Sequence, residues 1–291
     1  ALPDNHSEGD RRVALAHWLT DENNPLTWRV IVNRIWHYHF GRGLVDSPND
    51  LGRMGSEVTH PDLLDWMADD FRNSGGGSWK RLHRQLLLSH TFSQTTADNR
   101  LAAAKDADNR WLWRMNRGRI DAESFRDAVL SSSGKLDLTM GGPPVMHFIM
   151  SPGIHVTPNA DYQQFDVDQA QANRRAVYRY VFRTRPDPLL EMLDCPDFSQ
   201  STPVRASSVS PLQALSIWNN KLVLRHAEHG AMLAAQAGAD LKTQVQALAQ
   251  QTLCRDADRD ELPDWVEYAR VHGLANLARV LLNSSEFLFI D

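Results

Sequence analysis

The sequence predicts an all-α fold with at most a minor β element. Between Asn24 and Gly41, apolar residues recur at the helical spacing i, i+4, i+7 and i+8, and a proline occupies the first helical position. Similar amphipathic runs, with capping residues in front and glycine behind, occur near both ends of the chain. Three blocks of the N-terminal part also return in the same order near the C-terminus. Because amphipathic helices bury their apolar faces against one another, we expect two helical halves.

The N-terminal helices are bounded by residues typical of helix starts and ends. Asn24 caps the second helix and Gly41 ends it, whereas Thr59 or His60 caps the third, with Pro61 at its first position. The apolar stripe of the second helix comprises Trp28, Val32, Ile35 and Trp36. The predicted helices of this part cover residues 10–20, 25–40, 61–74, 79–89 and 122–133.

Two segments between the predicted helices have the composition of long irregular loops. Residues 42–59 are interrupted by several glycines, and residues 136–173 contain Gly141-Gly142-Pro143-Pro144. Loops of this length are commonly functional or disordered. Residues 176–183 alternate apolar and polar side chains at places, so both a single strand and a helix are compatible with them. The predicted helices of the C-terminal part cover residues 210–236, 240–253, 258–272 and 274–284.

The chain contains an internal similarity. The matching blocks are 25–33 with 211–219, 61–66 with 263–268, and 79–92 with 274–287. Chance similarity among amphipathic helices is one interpretation. The shared order and capping favour the other, a degenerate duplication of a three-helix unit. We therefore predict a single helical domain over residues 1–291, made of two pseudo-repeated halves, 10–92 and 210–291, around an irregular insertion, 93–209.

One asparagine recurs at the same place in both halves. Asn33 and Asn219 each lie on an otherwise apolar predicted helix. A buried amide must be hydrogen-bonded, so we predict that each side chain bonds the backbone of the loop that follows its helix.

Composition excludes several classes of function. The formal net charge is −5 and the pI is about 6.2, so we expect no global attraction to nucleic acid or to an anionic membrane. No run of 18 apolar residues is present, which argues against a membrane span. The first six residues do not have the form of a signal peptide, and we expect any such peptide to precede them.

The cysteine and tryptophan contents bear on disulfides, haem attachment and aromatic packing. Cys195 and Cys254 either form one bridge or are both free and buried. Neither stands in a Cys-x-x-Cys-His motif, so we predict no haem attachment and no cofactor in this chain. Nine tryptophans favour a large aromatic core or exposed stacking platforms.

Several motifs carry a resemblance to a known family. They are Asn33-Arg34-Ile35-Trp36, Phe40-Gly41-Arg42-Gly43-Leu44-Val45, His60-Pro61-Asp62-Leu63-Leu64-Asp65-Trp66, Asn109-Arg110, Arg117-Gly118-Arg119, Gly141-Gly142-Pro143-Pro144 and Leu281-Leu282-Asn283-Ser284-Ser285-Glu286-Phe287-Leu288. Over nearly its whole length, the chain resembles the C-terminal domain of unknown function of the planctomycete-type cytochrome c domain proteins. The resemblance implies an extracytoplasmic setting, with a haem-bearing domain upstream and a sulfatase-like protein encoded nearby. It implies no activity.

Three histidines suggest a site near the second and third helices. Side chains two positions apart on a helix point about 200° apart, so His37 and His39 share a metal ion only where the helix has ended. The simpler interpretation is that one of them packs and the other is exposed. His60 is interpreted first as a helix cap, with a general-base role as the alternative.

An arginine-rich segment offers a second candidate site. One interpretation is an internal network of arginines and carboxylates that pins helices together. The other is an anion pocket for sulfate or carboxylate groups of a polysaccharide, with Trp111 and Trp113 stacking on sugar rings. The charged residues concerned are Arg110, Arg114, Arg117, Arg119 and Arg126, beside Asp121, Glu123 and Asp127.

These observations predict a non-catalytic helical module that binds or assembles with other components outside the cytoplasm. Its expected partners are a haem-bearing domain, a sulfatase-like hydrolase or an anionic polysaccharide. The alternative is an enzyme acting on polysaccharide, with its site between loops 42–59 and 136–173. No catalytic residue and no metal ligand is assigned. The candidate binding residues are Trp36, His37, His60, Arg114, Arg117 and Arg119.

Overall fold

The computed structural model describes residues 5–153 and 158–290, which form mainly α-helices with small two-stranded sheets. The chain divides into two compact units, unit 1 (residues 1–118 with residue 291) and unit 2 (residues 119–290). The prediction of an all-α fold with a minor β element is confirmed. A single domain with pseudo-repeated halves stays a prediction.

The helices of unit 1 begin and end where local sequence directs them. The Asn24 side chain accepts a 2.9 Å hydrogen bond from the amide of Leu26, and Gly41 closes the helix in the left-handed conformation, with φ of 75°. Ser78 caps a later helix by accepting from the amide of Arg81. The helices are α1 (Glu8–Thr20), α2 (Pro25–Phe40), α3 (Pro61–Arg72), α4 (Trp79–Leu87) and α5 (Arg100–Ala103).

The core of unit 1 is built from the apolar faces of α2, α3 and α4. Of the α2 residues that the sequence places on one face, Val32, Ile35 and Trp36 are buried and Trp28 is half-buried. In contrast, every residue of α1 is exposed or half-buried. The core side chains include Val32, Ile35, Trp36 and Phe40 of α2, Leu64, Met67 and Phe71 of α3, and Leu82 and Leu86 of α4.

Unit 2 is a second helical assembly, in which α9 (Lys221–Ala234) packs along α12 (Leu274–Leu282) and both contact α10 (Leu241–Leu253). Its buried residues include Val223 and Ala227 of α9, Val245 and Leu248 of α10, and Leu277 and Leu281 of α12. Its helices are α6 (Ala122–Ser132), α7 (Pro188–Met192), α8 (Pro211–Asn219), α9 (Lys221–Ala234), α10 (Leu241–Leu253), α11 (Glu261–His272), α12 (Leu274–Leu282) and α13 (Ser285–Leu288).

The β content is small. Strand β1 covers Gly118–Arg119, β2 covers Ile149–Ser151, β3 covers Asn159–Asp161 and β4 covers Phe289–Ile290. Strands β2 and β3 pair antiparallel, with Met150 opposite Ala160. Residues 154–157, inside the predicted loop 136–173, lie outside the described residues.

Two helix predictions need correction. The helix predicted over residues 210–236 breaks at Asn220, which ends α8 and caps α9 through a side-chain bond to the amide of Leu222. Asparagine competes for local backbone groups, and here that competition ends one helix and starts another. Residues 176–183 form neither a strand nor an α-helix. They contain a 3₁₀ turn, Ala176–Tyr178, and Tyr180 donates to the carbonyl of Val145.

The prediction for the recurring asparagines is correct for one of them. Asn33 is fully buried and bonds the backbone of Val45 in the following loop. Asn219 is exposed, and its amide donates back to the carbonyl of Leu215 in its own helix, so the prediction for it was wrong.

Two further expectations concern the cysteines and the membrane. Cys195 and Cys254 are both free; Cys195 is half-buried, whereas Cys254 is exposed at the C-terminal end of α10. Among residues 5–153 and 158–290, every helix is too short or too polar to cross a bilayer.

Candidate functional site

Three sequence-predicted site residues of unit 1, His60, Arg114 and Arg117, lie on or beside a loop, residues 106–117, named here the Trp111 loop. Asp106 organises its first half. The two carboxylate oxygens of Asp106 accept hydrogen bonds from the amides of Arg110 and Trp111, at 2.9 and 2.8 Å. The Asp106 carbonyl accepts the indole N–H of Trp113 at 2.9 Å. A short acidic side chain commonly folds a turn in this way.

Asn109 fixes the second half of the loop. It is 3% exposed, and its side-chain amide donates to the carbonyl of Arg114 and to the side chain of Asn116, both at 2.9 Å. Asn116 in turn donates to the carbonyl of Phe40 at the end of α2. Asn109 and Leu112 both have positive φ, near 50°. Residues other than glycine adopt a positive φ mainly where neighbouring contacts stabilise that conformation. The hydrogen bonds of Asn109 supply such contacts, so the loop is rigid.

The loop presents Trp111 beside His60. The Trp111 side chain is 63% exposed, and its ring meets the His60 ring edge-on, with centroids 5.3 Å apart. His60 occupies the N-terminal cap position of α3, but its side chain makes no capping bond and instead bonds the Thr59 hydroxyl. The prediction of a side-chain cap was therefore wrong. The His60 ring instead orients the exposed indole of Trp111.

Arg114 and Arg117 lie on the same loop and share one carboxylate. Their guanidinium groups approach Asp98 at 3.6 and 3.8 Å, which are ion-pair distances but too long for a hydrogen bond. Arg114 also stacks over the ring of Trp113, at 5.1 Å from its centroid. The two guanidinium groups therefore lie within ion-pair distance of one exposed aspartate.

The structure places Trp36 and His37 away from this exposed surface. Trp36 is 5% exposed and stacks on Phe40 at 4.1 Å in the core, so we do not include it in the binding surface. His37 is half-buried, and its Nδ1 atom has no hydrogen-bond partner. Burial lowers the pKa of His37, partly opposed by Asp46, so it is neutral at pH 7.

His39 pairs with a different histidine from the one that the sequence suggests. Its Nε2 atom lies 2.7 Å from Nδ1 of His83, and burial followed by the His83 charge lowers the pKa of His39. His37 and His39 are therefore not brought together. In the part of the chain that the structure describes, no three His, Cys, Asp or Glu side chains are grouped as metal ligands.

Arg119 lies in unit 2, where its guanidinium group connects neighbouring segments of the chain. The Nη2 group of its guanidinium donates to the Leu193 carbonyl at 2.8 Å and to the Asp194 carboxylate at 3.1 Å. The Nη1 group donates to the Ser208 carbonyl and to Gln213. Because these donors bond groups of its own chain, Arg119 belongs to an internal network, which is the first interpretation given for the arginine-rich segment.

Groups that resemble nucleophiles in unit 2 are not activated. The hydroxyl of Ser133 is 2.8 Å from His226 Nδ1, but both residues are buried and the hydroxyl also donates to the Leu130 carbonyl. Burial, followed by the charge of Glu123, raises the pKa of the Cys195 thiol to about 11. A thiol with that pKa is protonated at neutral pH and is a poor nucleophile.

Sequence reasoning missed the residues that hold the Trp111 loop. Asp98, Asp106 and Asn109 were not assigned any role, although Asp106 and Asn109 are residue types that fold tight turns. The contact between His60 and Trp111 joins positions 51 residues apart, and no local pattern predicts it.

Comparison with known proteins identifies the family of this chain. Residues 11–269 match the family described as PSD1, Protein of unknown function (DUF1553). No curated protein and no solved structure matches the chain significantly. The match covers most of the chain and confirms the resemblance to a domain of unknown function. The chain therefore belongs to the DUF1553 (PSD1) family of proteins of unknown function.

Proposed function

We propose that this chain is a non-catalytic binding module and that the Trp111 loop, with His60, binds an anionic saccharide. The observation that carries the proposal is a tryptophan, 63% exposed, on a loop that Asp106 and Asn109 hold rigid, beside the edge of His60. Exposing an aromatic ring on a rigid support lowers the entropy lost on binding.

The side chains of the loop fit a sugar ring that carries a carboxylate or sulfate group. An indole face packs against the C–H face of a sugar ring, and guanidinium groups bind carboxylate or sulfate oxygens in pairs. Trp111 supplies the indole face, and Arg114 and Arg117 of the same loop supply the guanidinium groups.

The pKa values of two groups of unit 2 argue against proton transfer by those groups. A general acid or base works best with a pKa near the operating pH. Burial lowers the pKa of His226 to about 4, and burial followed by Asp187 raises that of Tyr162 to about 12. Neither group exchanges a proton readily at pH 7.

The proposed setting is extracytoplasmic, in a system that includes a haem-bearing domain or a sulfatase-like protein. This part of the proposal rests on the family resemblance of the motifs, and anionic saccharides are a ligand class compatible with such neighbours. An enzyme acting on polysaccharide is the alternative. Its proposed loops, 42–59 and 136–173, belong one to each unit.

The experiment is a calorimetric titration with a chondroitin sulfate hexasaccharide and with the same hexasaccharide after desulfation. We expect the sulfated form to bind, and Trp111→Ala to weaken it by about tenfold, equal to about 1.4 kcal/mol. The matched control is Trp66→Ala, because Trp66 is similarly exposed, at 58%, on α3. Equal affinities of the W111A and wild-type proteins contradict the proposal. Cleavage of the saccharide, detected by mass spectrometry, favours the enzyme instead.

A further inference from the structure

Unit 2 contains a cavity of about 220 Å³, named here the Arg179 cavity. Segment 179–187, helix α7 and segment 195–198 supply most of its lining, and none of the six candidate binding residues predicted from the sequence is among them. An apolar cavity of about 150 Å³ is large enough for benzene. The size of the Arg179 cavity therefore fits a molecule with a single ring.

Part of the wall of this cavity is aromatic. Phe182, Leu190 and Phe198 contribute apolar side chains to it. The ring of Phe182 is stacked on Phe148, with centroids 5.6 Å apart and planes inclined by 22°. A ring that is already held by a neighbour loses little freedom when a second ring packs against it. The wall is therefore prepared for the flat face of an aromatic molecule.

Two charged side chains of the wall, Arg179 and Asp187, meet without a hydrogen bond. Nη1 of Arg179 lies 3.4 Å from Oδ2 of Asp187, which is an ion-pair distance but longer than an N–H···O hydrogen bond. Their side chains are only 8% and 16% exposed. Among the described residues, no group bonds the Arg179 guanidinium or Asp187 Oδ2 in a closer geometry. The other oxygen, Oδ1 of Asp187, caps α7 by accepting the amides of Leu189 and Leu190.

The unbonded polar atoms of this pair reach open space. The ring nitrogens of His147 are fully enclosed and lack a partner, but the guanidinium nitrogens of Arg179 and Oδ2 of Asp187 are not enclosed in this way. These atoms therefore keep accessible surface, and both residues line the Arg179 cavity. The polar part of the wall thus presents a hydrogen-bond donor beside a hydrogen-bond acceptor.

The charges around the cavity give no excess that would select an ion. Two cations behind the wall have carboxylates of their own, since Arg126 pairs with Asp127 at 3.5 Å and Arg205 pairs with Glu123 at 2.7 Å. The other charged residues of the lining are exposed, so solvent screens them. They are Arg183, Glu191 and Asp197.

We propose that the Arg179 cavity binds a small neutral molecule with one aromatic ring and an amide edge, as in an aromatic carboxamide or a cyclic amide. The amide carbonyl accepts from Arg179, and the amide N–H donates to Asp187. A carboxylate would set an acceptor against Asp187, and an amidinium would set donors against Arg179, so the same pair rejects both ions. The site and its ligand are independent of the Trp111 loop, so either proposal stands if the other fails.

The test is isothermal titration of the whole protein with benzamide, benzoate and benzamidine. These three molecules share one shape, but their edges offer acceptor and donor, two acceptors, and two donors, respectively. We expect benzamide to bind about tenfold more tightly than either ion at pH 7. Benzamide affinity no higher than that of either ion, or no binding of benzamide and nicotinamide at millimolar concentration, overturns the proposal.

Cys195 reports where the molecule binds. Its thiol lines the Arg179 cavity, whereas Cys254 is exposed at the end of α10 and serves as an internal control. We expect saturating benzamide to slow the alkylation of Cys195 by iodoacetamide and to leave that of Cys254 unchanged. Mass spectrometry of the two cysteine peptides, at mildly alkaline pH, measures both rates. An unchanged rate at Cys195 places the molecule elsewhere and overturns the site.

Asp187→Asn exchanges an acceptor for a donor, and asparagine is also a good cap for α7. We expect this variant to bind benzamide about tenfold more weakly and benzoate more tightly, a reversal that loss of a purely structural contact would not produce. Asp240→Asn is the matched control, because it makes the same change in the cap of α10 and leaves both affinities unchanged. A wild-type preference for benzamide in a folded D187N protein overturns the proposed contact with Asp187.

Discussion

The side chain of Asn33 holds the backbone of Val45 through two hydrogen bonds. Its Nδ2 atom donates to the Val45 carbonyl and its Oδ1 atom accepts the Val45 amide, both at 2.9 Å. Asn33 is fully buried in α2, and Val45 lies in the loop after that helix. The pair therefore fixes the direction in which the chain leaves α2.

Asn33→Ala leaves two buried backbone groups without partners, which costs about 1–3 kcal/mol of unfolding free energy. Urea denaturation followed by circular dichroism measures this loss. The control is Asn219→Ala, because Asn219 is exposed and bonds its own helix. We expect about 0.5 kcal/mol or less there. Equal losses in the two variants contradict the role given to Asn33.

Gly43→Ala is expected to destabilise unit 1 more than Gly41→Ala. A Cβ atom at Gly43 would lie 2.4 Å from the Val45 carbonyl oxygen and 2.8 Å from Asn33 Oδ1, so the paired groups must move. At Gly41, φ is 75° but no atom lies within 4 Å, so the cost there is backbone strain of about 1 kcal/mol. Melting temperatures of the two variants, measured side by side, give the order. The reverse order shows that the loop is free to adjust.

Arg119→Met removes the donor that connects Leu193, Asp194 and Gln213 in unit 2. Asp194 loses its ion-pair partner while its side chain is only 18% exposed, and we expect a loss of about 2–4 kcal/mol in denaturant unfolding. Arg270→Met is the control, because its pair with Glu267 is exposed on α11 and contributes little. A loss at Arg119 no larger than the loss at Arg270 is the contradicting outcome.

Acid is expected to destabilise unit 2 between about pH 6.5 and pH 4 through the buried His226. Burial lowers the pKa of His226 to about 4, well below the ordinary value of 6.5. The unfolded chain therefore binds more protons, so stability is complete above about pH 6.5 and falls as the pH drops towards 4, by up to about 3 kcal/mol. His147, with a pKa of about 3, acts in the same direction.

The measurement is the slope of unfolding free energy against pH between these limits. His226→Phe removes the titrating group and should flatten the slope, whatever it does to stability at pH 7. His17→Ala, at an exposed position on α1, should leave the slope unchanged. A slope unaffected by H226F means that His226 does not carry the acid sensitivity.

The parts of the fold that depend on local chemistry were predictable from sequence. Asn24 and Gly41 bound α2 as expected because caps and left-handed glycines act within a few residues. Asn219 was misjudged because burial is a tertiary property: the sequence position matches Asn33, but α8 ends at Asn219 and leaves it exposed. The cavity in unit 2 that Arg126, His147 and Leu222 line combines segments that lie far apart in the chain, which no periodicity connects.

The candidate site was predictable only in its residue types. Arg114, Arg117 and His60 were singled out, but the conformation of the loop that carries the two arginines and Trp111 depends on the side chains of Asp106 and Asn109. Arg119 belongs to the same sequence segment and yet serves a structural network in unit 2. Adjacent arginines therefore have different roles because their partners lie far away in sequence.

The most direct test of the binding function is an NMR titration that follows the indole N–H resonances of the tryptophans as the sulfated hexasaccharide is added. Trp111→Phe identifies the resonance of Trp111. We predict that this resonance shifts saturably while that of Trp66 stays in place. A Trp111 resonance that does not move while other signals titrate would contradict the account.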